Sequence, residues 1–142
     1  MTSAETVPSD EVLTRIFREA KTIAVVGAST REHRAGHYIP RYLQAQGYRI
    51  IPVNPNYEEV LGEKCYPSLL DIPEPVDVVE VFRRPEFCDE VARDAVAIGA
   101  KVLWLQLGIV CEPADEIASA AGLTVVMDAC MGPEHRRLVG AA

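Results

Sequence analysis

Arg83 and Arg84 stand directly after the apolar run Asp77-Val78-Val79-Glu80-Val81-Phe82, where a guanidinium can grip a phosphate in a two-pronged fork. The competing use of Arg83 is an ion pair with a neighbouring acid such as Glu86. A second group, Gly27-Ala28-Ser29-Thr30 with Arg31 and Arg34, offers small residues, two hydroxyls and two cations after another apolar run. Ser29 and Thr30 can donate to a phosphate or cap the turn, and either arginine can serve equally as a solvated surface cation. Three more runs end in polar or small residues: Asn54-Pro55, Gln106-Leu107-Gly108 and Asp128-Ala129-Cys130. His37 reads as a ligand contact or a structural residue. Glu80 needs a partner inside an apolar run and reads foremost as a satisfied core carboxylate, with a catalytic acid as its alternative. Cys130 reads as a small buried hydrophobe or a rim thiol. No Ser/His/Asp series, closely spaced carboxylate pair or metal cluster stands out. The chemistry on offer is binding, and apparatus for turnover is not evident.

The elements that would position these groups follow from periodicity. Thr22 to Ser29 is a β-branched run ending abruptly in small residues, a buried strand entering a tight turn. After the polar loop Thr30 to Gly36, Tyr38, Ile39, Tyr42 and Leu43 fall on one helical face. Pro40 places the first turn of that helix at Gly36 to Pro40, since proline costs no hydrogen bond among the first four positions. Its free N–H groups and dipole suit a phosphate or other anion. Only one glycine of the dinucleotide fingerprint G-x-G-x-x-G is in place, and the second strand ends in Asn54 rather than an acid. These signs favour a nucleotide other than NAD.

Apolar strands begin near residues 22, 49, 77, 101 and 124, separated by helical patterns. This alternation predicts a doubly wound parallel five-stranded sheet covered on both faces, a three-layer α/β/α domain with the first strand central. Ser9 should cap a first helix burying Val12, Leu13, Ile16, Phe17 and Ala20. Pro85 should open a helix with Phe87, Val91, Ala95 and Ile98 buried, Pro113 another, and Ser68 to Ile72 one helical turn. All five strand-end turns then share one rim. Residues 1–8 read as a flexible tail and 9–142 as a single domain.

The 142 residues are 49% apolar and 25% charged, the composition of a soluble globule, with no apolar run near the ~20 residues of a membrane span. A cytoplasmic location is the expectation. The net charge of −7 repels nucleic acid and anionic membrane, so an anionic ligand must rely on local arginines and backbone N–H groups. Cys65, Cys88, Cys111 and Cys130 lack paired or metal-like spacing and read as reduced thiols.

Taken together, Ile23-Ala24-Val25-Val26-Gly27-Ala28-Ser29, Ile51-Pro52-Val53-Asn54-Pro55, Asp77 to Arg83, Leu103-Trp104-Leu105-Gln106-Leu107-Gly108 and Val126-Met127-Asp128-Ala129-Cys130 resemble the stand-alone CoA-binding proteins of the YccU-like family. That family is similar to the N-terminal CoA-binding domain of the succinyl-CoA synthetase α subunit. The resemblance runs from about Ile16 to Leu138. It implies a Rossmann-like domain binding coenzyme A, with Gly27, Ala28 and Ser29 forming the first turn of the site, Asn54 and Pro55 the second, Phe82 and Arg83 the third, and Gln106 with Gly108 the fourth. It also implies a small-molecule ligand, CoA or acyl-CoA, for a carrier, sensor or partner of an acyl-CoA enzyme, with a second copy or such an enzyme as partner. Two departures stand out: Ala129 occupies a position where arginine is common, and Met131-Gly132-Pro133-Glu134 replaces the usual basic residue and Ile-Glu pair. An NAD(P)-linked oxidoreductase, or a redox regulator in which Cys130 forms a mixed disulfide with CoA, is the alternative on the same fold.

Overall fold

The computed structural model of the protein describes residues 7–140. The expected tail therefore lies outside the described residues, apart from Val7 and Pro8, which join no helix or strand. Helix α1 (Asp10–Glu19) starts on Ser9, whose hydroxyl accepts the Val12 N–H at 3.3 Å, and it buries Leu13, Ile16 and Phe17. Strand β1 (Thr22–Val26), helix α2 (Ala35–Ala45) and strand β2 (Arg49–Val53) follow. A two-residue-stranded hairpin, β3 (Glu59–Val60) and β4 (Glu63–Lys64), and a 3-10 turn at Leu69–Asp71 lead to β5 (Val78–Val81). A second 3-10 turn, Pro85–Phe87, runs into α3 (Cys88–Ala97); then come β6 (Val102–Leu105), α4 (Glu112–Ala120), β7 (Thr124–Val126) and α5 (Met131–Val139).

The sheet is parallel throughout, with order β2-β1-β5-β6-β7. Helices α1, α2 and α5 cover one face, where Ile23, Val25, Val78 and Trp104 point, and α3 and α4 cover the other, over Ala24, Val26, Val79 and Leu103. This is a three-layer α/β fold of the Rossmann-like kind. The winding reverses between β1 and β5, so β1 is an interior strand but β5, not β1, is the middle one. One crossover builds the sheet toward β2 and three build it the other way. Among the described residues no helix is long and apolar enough to cross a membrane.

Two local expectations are corrected, and two elements are additional. Phe87, expected on the buried face of its helix, lies in the 3-10 turn and is 41% exposed. Tyr38 is 44% exposed, because the apolar stripe of α2 is Ile39 and Leu43. The hairpin and α5 have no counterpart in the sequence reading. Helix α5 buries Met131, Gly132 and His135, and the His135 ring meets Phe17, Tyr42 and Tyr48 edge-on at 5.2 to 5.7 Å while Nδ1 pairs with the Tyr42 hydroxyl. Those partners are about 90 or more residues away in sequence. Pro52 is tolerated in β2 because that strand is at the sheet edge.

Glu80 departs most from expectation. It sits in the middle strand in register with Val25 and Trp104, is wholly buried, and neither carboxyl oxygen has a hydrogen-bond partner. Burial pushes its pKa up to about 8, so the side chain is a neutral carboxylic acid at neutral pH. Between the ordinary glutamate value of 4.5 and about 8, the unfolded chain has released a proton that the native protein still holds. Stability therefore falls as pH rises through that window and is level above it. Glu80→Gln should remove this slope: the wild type should lose roughly 1.4 kcal/mol per pH unit relative to the variant. Urea unfolding of both proteins at pH 5 and pH 8 checks it, and an unchanged gap would mean Glu80 is not held neutral.

Candidate functional site

The carboxyl ends of β1 and β5, on either side of the winding reversal, are where an open α/β sheet leaves a crevice. The first turn there is built by two glycines. Gly27 has φ +89°, and a Cβ on it would lie 3.1 Å from the Phe82 carbonyl oxygen. A Cβ on Gly36 would lie 2.7 Å from the Gly27 carbonyl oxygen. The turn after β1 thus packs backbone to backbone against the first turn of α2, with Phe82 beside both.

Proline explains why the two stay together. Helix α2 begins at Ala35, one residue earlier than the Pro40 argument requires, so Pro40 is its sixth residue. A proline there cannot donate to the carbonyl four residues back, which is Gly36. The Ser29 N–H takes that carbonyl instead, at 3.2 Å. His37 Nδ1 lies 2.8 Å from the Ser29 carbonyl, so the histidine is a clamp on the turn, and it is 8% exposed. Ser29 Oγ accepts the Arg31 N–H, and the Asn54 amide donates to the Ala28 carbonyl at 2.9 Å while its oxygen accepts from Asn56. Asn54 therefore shapes the first turn from the end of β2.

Two cavities flank Gly27. On the α2 side an open recess of about 430 Å³ is lined by Ser29, His33, Arg34, Ala35, Gly36 and Phe82. Ala35 and Gly36 are first-turn residues, whose N–H groups an α-helix does not satisfy internally. With Arg34 beside them, this recess suits an anion. On the α3 side lies a cleft of about 250 Å³. It is lined by aliphatic side chains, Val26, Val53, Pro55, Pro67, Leu69 and Val91, and by polar ones, Asn54, Asn56, Ser68, Arg83, Glu90 and Asp94.

Arg83 makes no ion pair with Glu86 or any other acid among the described residues; its guanidinium lies 4.3 Å from the centroid of the Phe87 ring. The misplaced Phe87 is a platform for the arginine. The structure brings Gly27, Ser29, Arg34, Asn54, Pro55, Phe82 and Arg83 to the two cavities, with Ala28 buried in the turn and Thr30 exposed at its tip. Gln106 and Gly108 line neither cavity: Gln106 is 5% exposed, and the Gly108 N–H is taken by Asp128 Oδ1 at 2.7 Å. Cys130 is half-buried; burial raises its thiol pKa, against hydrogen bonds from Gln106 and the Gly132 N–H. No group of three or more His, Cys, Asp or Glu among the described residues is placed to hold a metal.

Sequence reasoning missed Tyr57, Ser68, Glu90 and Asp94. The neighbouring Thr30 and Ser29 side chains lower the Tyr57 pKa below the ordinary phenol value. A connecting loop gives no period from which its aim could be read. The missed signal that was present is Gly36-x-x-x-Pro40, a glycine four before a helical proline.

A doubly wound sheet with a recess and a cleft meeting at its winding reversal is a domain of the Rossmann-like class. Residues 21–136 match the CoA binding domain family, and the chain belongs to that family. It is 42% identical over 128 residues to the uncharacterized protein YneT of Bacillus subtilis, covering 90% of this chain and 95% of that one. It is 33% identical over 122 residues to acetate--CoA ligase [ADP-forming] I of Archaeoglobus fulgidus, covering 79% of this chain but 18% of the ligase. A solved structure of a hypothetical protein from Pyrococcus horikoshii superposes with TM-score 0.93 at 42% identity, covering 99% of this chain and 100% of that one.

Because the obstacle to a side chain at Gly36 is backbone, it cannot swing aside. Gly36→Ala should destabilise the protein by about 1–3 kcal/mol through overpacking, despite alanine's advantage of roughly 1 kcal/mol in a helix. Denaturant unfolding reads this directly; a stabilised variant would mean the two turns are not in contact.

Proposed function

We propose that this protein binds coenzyme A or an acyl-CoA across the two cavities, serving as a carrier, sensor or partner of an acyl-CoA enzyme in the cytoplasm. The observation that carries the reading is Arg83, a cation without an acidic partner among the described residues, held on Phe87 at a cleft that meets the α2 recess at Gly27. In this reading the diphosphate lies at the Gly27 turn and the first turn of α2, and the adenine lies among the aliphatic and polar side chains of the α3-side cleft. That cleft is smaller than the usual ~300–1,000 Å³ of a whole-ligand pocket, as expected if it takes only one end of a long molecule. Family membership and the similarity to acetate--CoA ligase support the choice of ligand. Asn54, whose carboxamide is tied into the first turn, stands where an NAD site places a ribose-binding acid, and this favours CoA over NAD.

Thermal unfolding with CoA, NAD and ATP in parallel tests the ligand. At 100 times its dissociation constant, CoA should add about 2.7 kcal/mol of stability. A shift with NAD or ATP but none with CoA would overturn the reading.

Arg83→Ala should weaken CoA binding by roughly 1.5–3 kcal/mol, the range for a hydrogen bond to a charged group, without changing the unfolding temperature of the free protein by more than a few degrees. Titration calorimetry measures it, and unchanged affinity would remove Arg83 from the site.

A further inference from the structure

The α3-side cleft carries a charge that its proposed occupant does not explain. Glu90 and Asp94 are one helical turn apart on α3 and both line it, in a protein whose ligand is an anion. Neither has a basic partner among the described residues; the neighbouring Arg93 pairs with Asp89 instead. Asp94 is half-buried, and its carboxyl pKa is raised by burial and by the charge of Glu90. Phosphate is unwelcome beside two carboxylates, so this end of the cleft must receive a neutral or donor-bearing part of the ligand. Arg83 precedes α3 and stands at its rim end; Asp94 lies a further turn, about 5.4 Å, beyond Glu90 along the helix. The cleft thus has a cationic mouth, walls that mix aliphatic and polar side chains, and an acidic edge farther along one helix. That sequence of surfaces matches a purine carrying an exocyclic amine, whose N–H groups point away from its sugar and phosphates.

We propose that Asp94, assisted by Glu90, accepts a hydrogen bond from the adenine amino group and thereby selects adenine over purines without that donor. The inference rests on the CoA reading above and deepens it. It makes Asp94 a specificity-determining residue and fixes the ligand's direction, base toward α3 and diphosphate toward α2.

The probe is 1,N6-etheno-CoA, in which the amino group is closed into a ring and has no N–H to donate. The wild type should bind CoA about tenfold or more tightly than etheno-CoA, because the analogue leaves a charged acceptor desolvated without a donor. In Asp94→Ala, CoA should weaken while etheno-CoA does not, so that the two bind within about twofold of each other; Glu90→Ala, at an exposed position, should narrow the gap in the same direction. Calorimetric titration of both ligands against the three proteins gives the result, with circular dichroism confirming that each variant is folded. Equal binding of the two ligands by the wild type, or a gap that neither variant narrows, overturns the proposal while leaving CoA binding intact. Absence of CoA binding by the wild type overturns the underlying ligand reading, and this inference with it.

Discussion

The Gly36 carbonyl is the pivot of this structure. A helix that contained an ordinary residue at position 40 would consume that carbonyl internally, and the turn after β1 would lose its backbone hydrogen bond to α2. Pro40 removes the donor, and Ser29 N–H takes its place at 3.2 Å. The two glycines then follow by necessity, since a Cβ at Gly36 would lie 2.7 Å from the Gly27 oxygen. His37 and Asn54 hold the neighbouring carbonyls of Ser29 and Ala28. A turn with few side chains of its own is thus held by groups from α2 and β2, which is the rigidity a binding site needs.

The position of that turn in the sheet gives the site its two halves. Because the winding reverses between β1 and β5, no crossover helix covers the ends of these strands, and cavities open on both faces. The faces differ in what borders them. Helix α2 presents its first turn and Arg34, whereas α3 presents its side, with Val91, Glu90 and Asp94. A net charge of −7 opposes an anion's approach, and Arg34 and Arg83 offset it near Gly27.

The architecture was legible because buried parallel strands announce themselves: each is a short, continuous β-branched run, and the helices between them carry apolar stripes. The turns at the strand ends were legible for the same reason. What escaped was whatever depends on contacts distant in sequence. Helix α5 is polar, and its packing through His135 needs aromatic rings from α1, α2 and the residue before β2. Phe87 has helical spacing with Val91, yet the 3-10 turn rotates it outward to carry Arg83. Glu90 and Asp94 have the i, i+4 spacing of any solvated helix face, and only the opposing loop at Pro67 to Leu69 makes them the edge of a cleft.

Residues that break local rules gather at this end of the sheet, and most are compensated by a neighbouring strand. Pro40 inside a helix is answered by Ser29. Asp128, a non-glycine at φ 57°, has its carboxylate on the Gly108 N–H, joining the turns after β6 and β7. Glu80, near the end of the middle strand, is different, because no protein group answers either oxygen. Its charge is removed by a proton instead, which requires no partner but lasts only below a pH of about 8. The backbone exceptions therefore fix the rim through hydrogen bonds between its turns, whereas Glu80 ties the sheet beneath it to the proton concentration. A buried acid of this kind costs stability in every ligand state alike unless binding brings it a donor, so the pH dependence of folding and that of ligand affinity separate a structural Glu80 from one that senses the site.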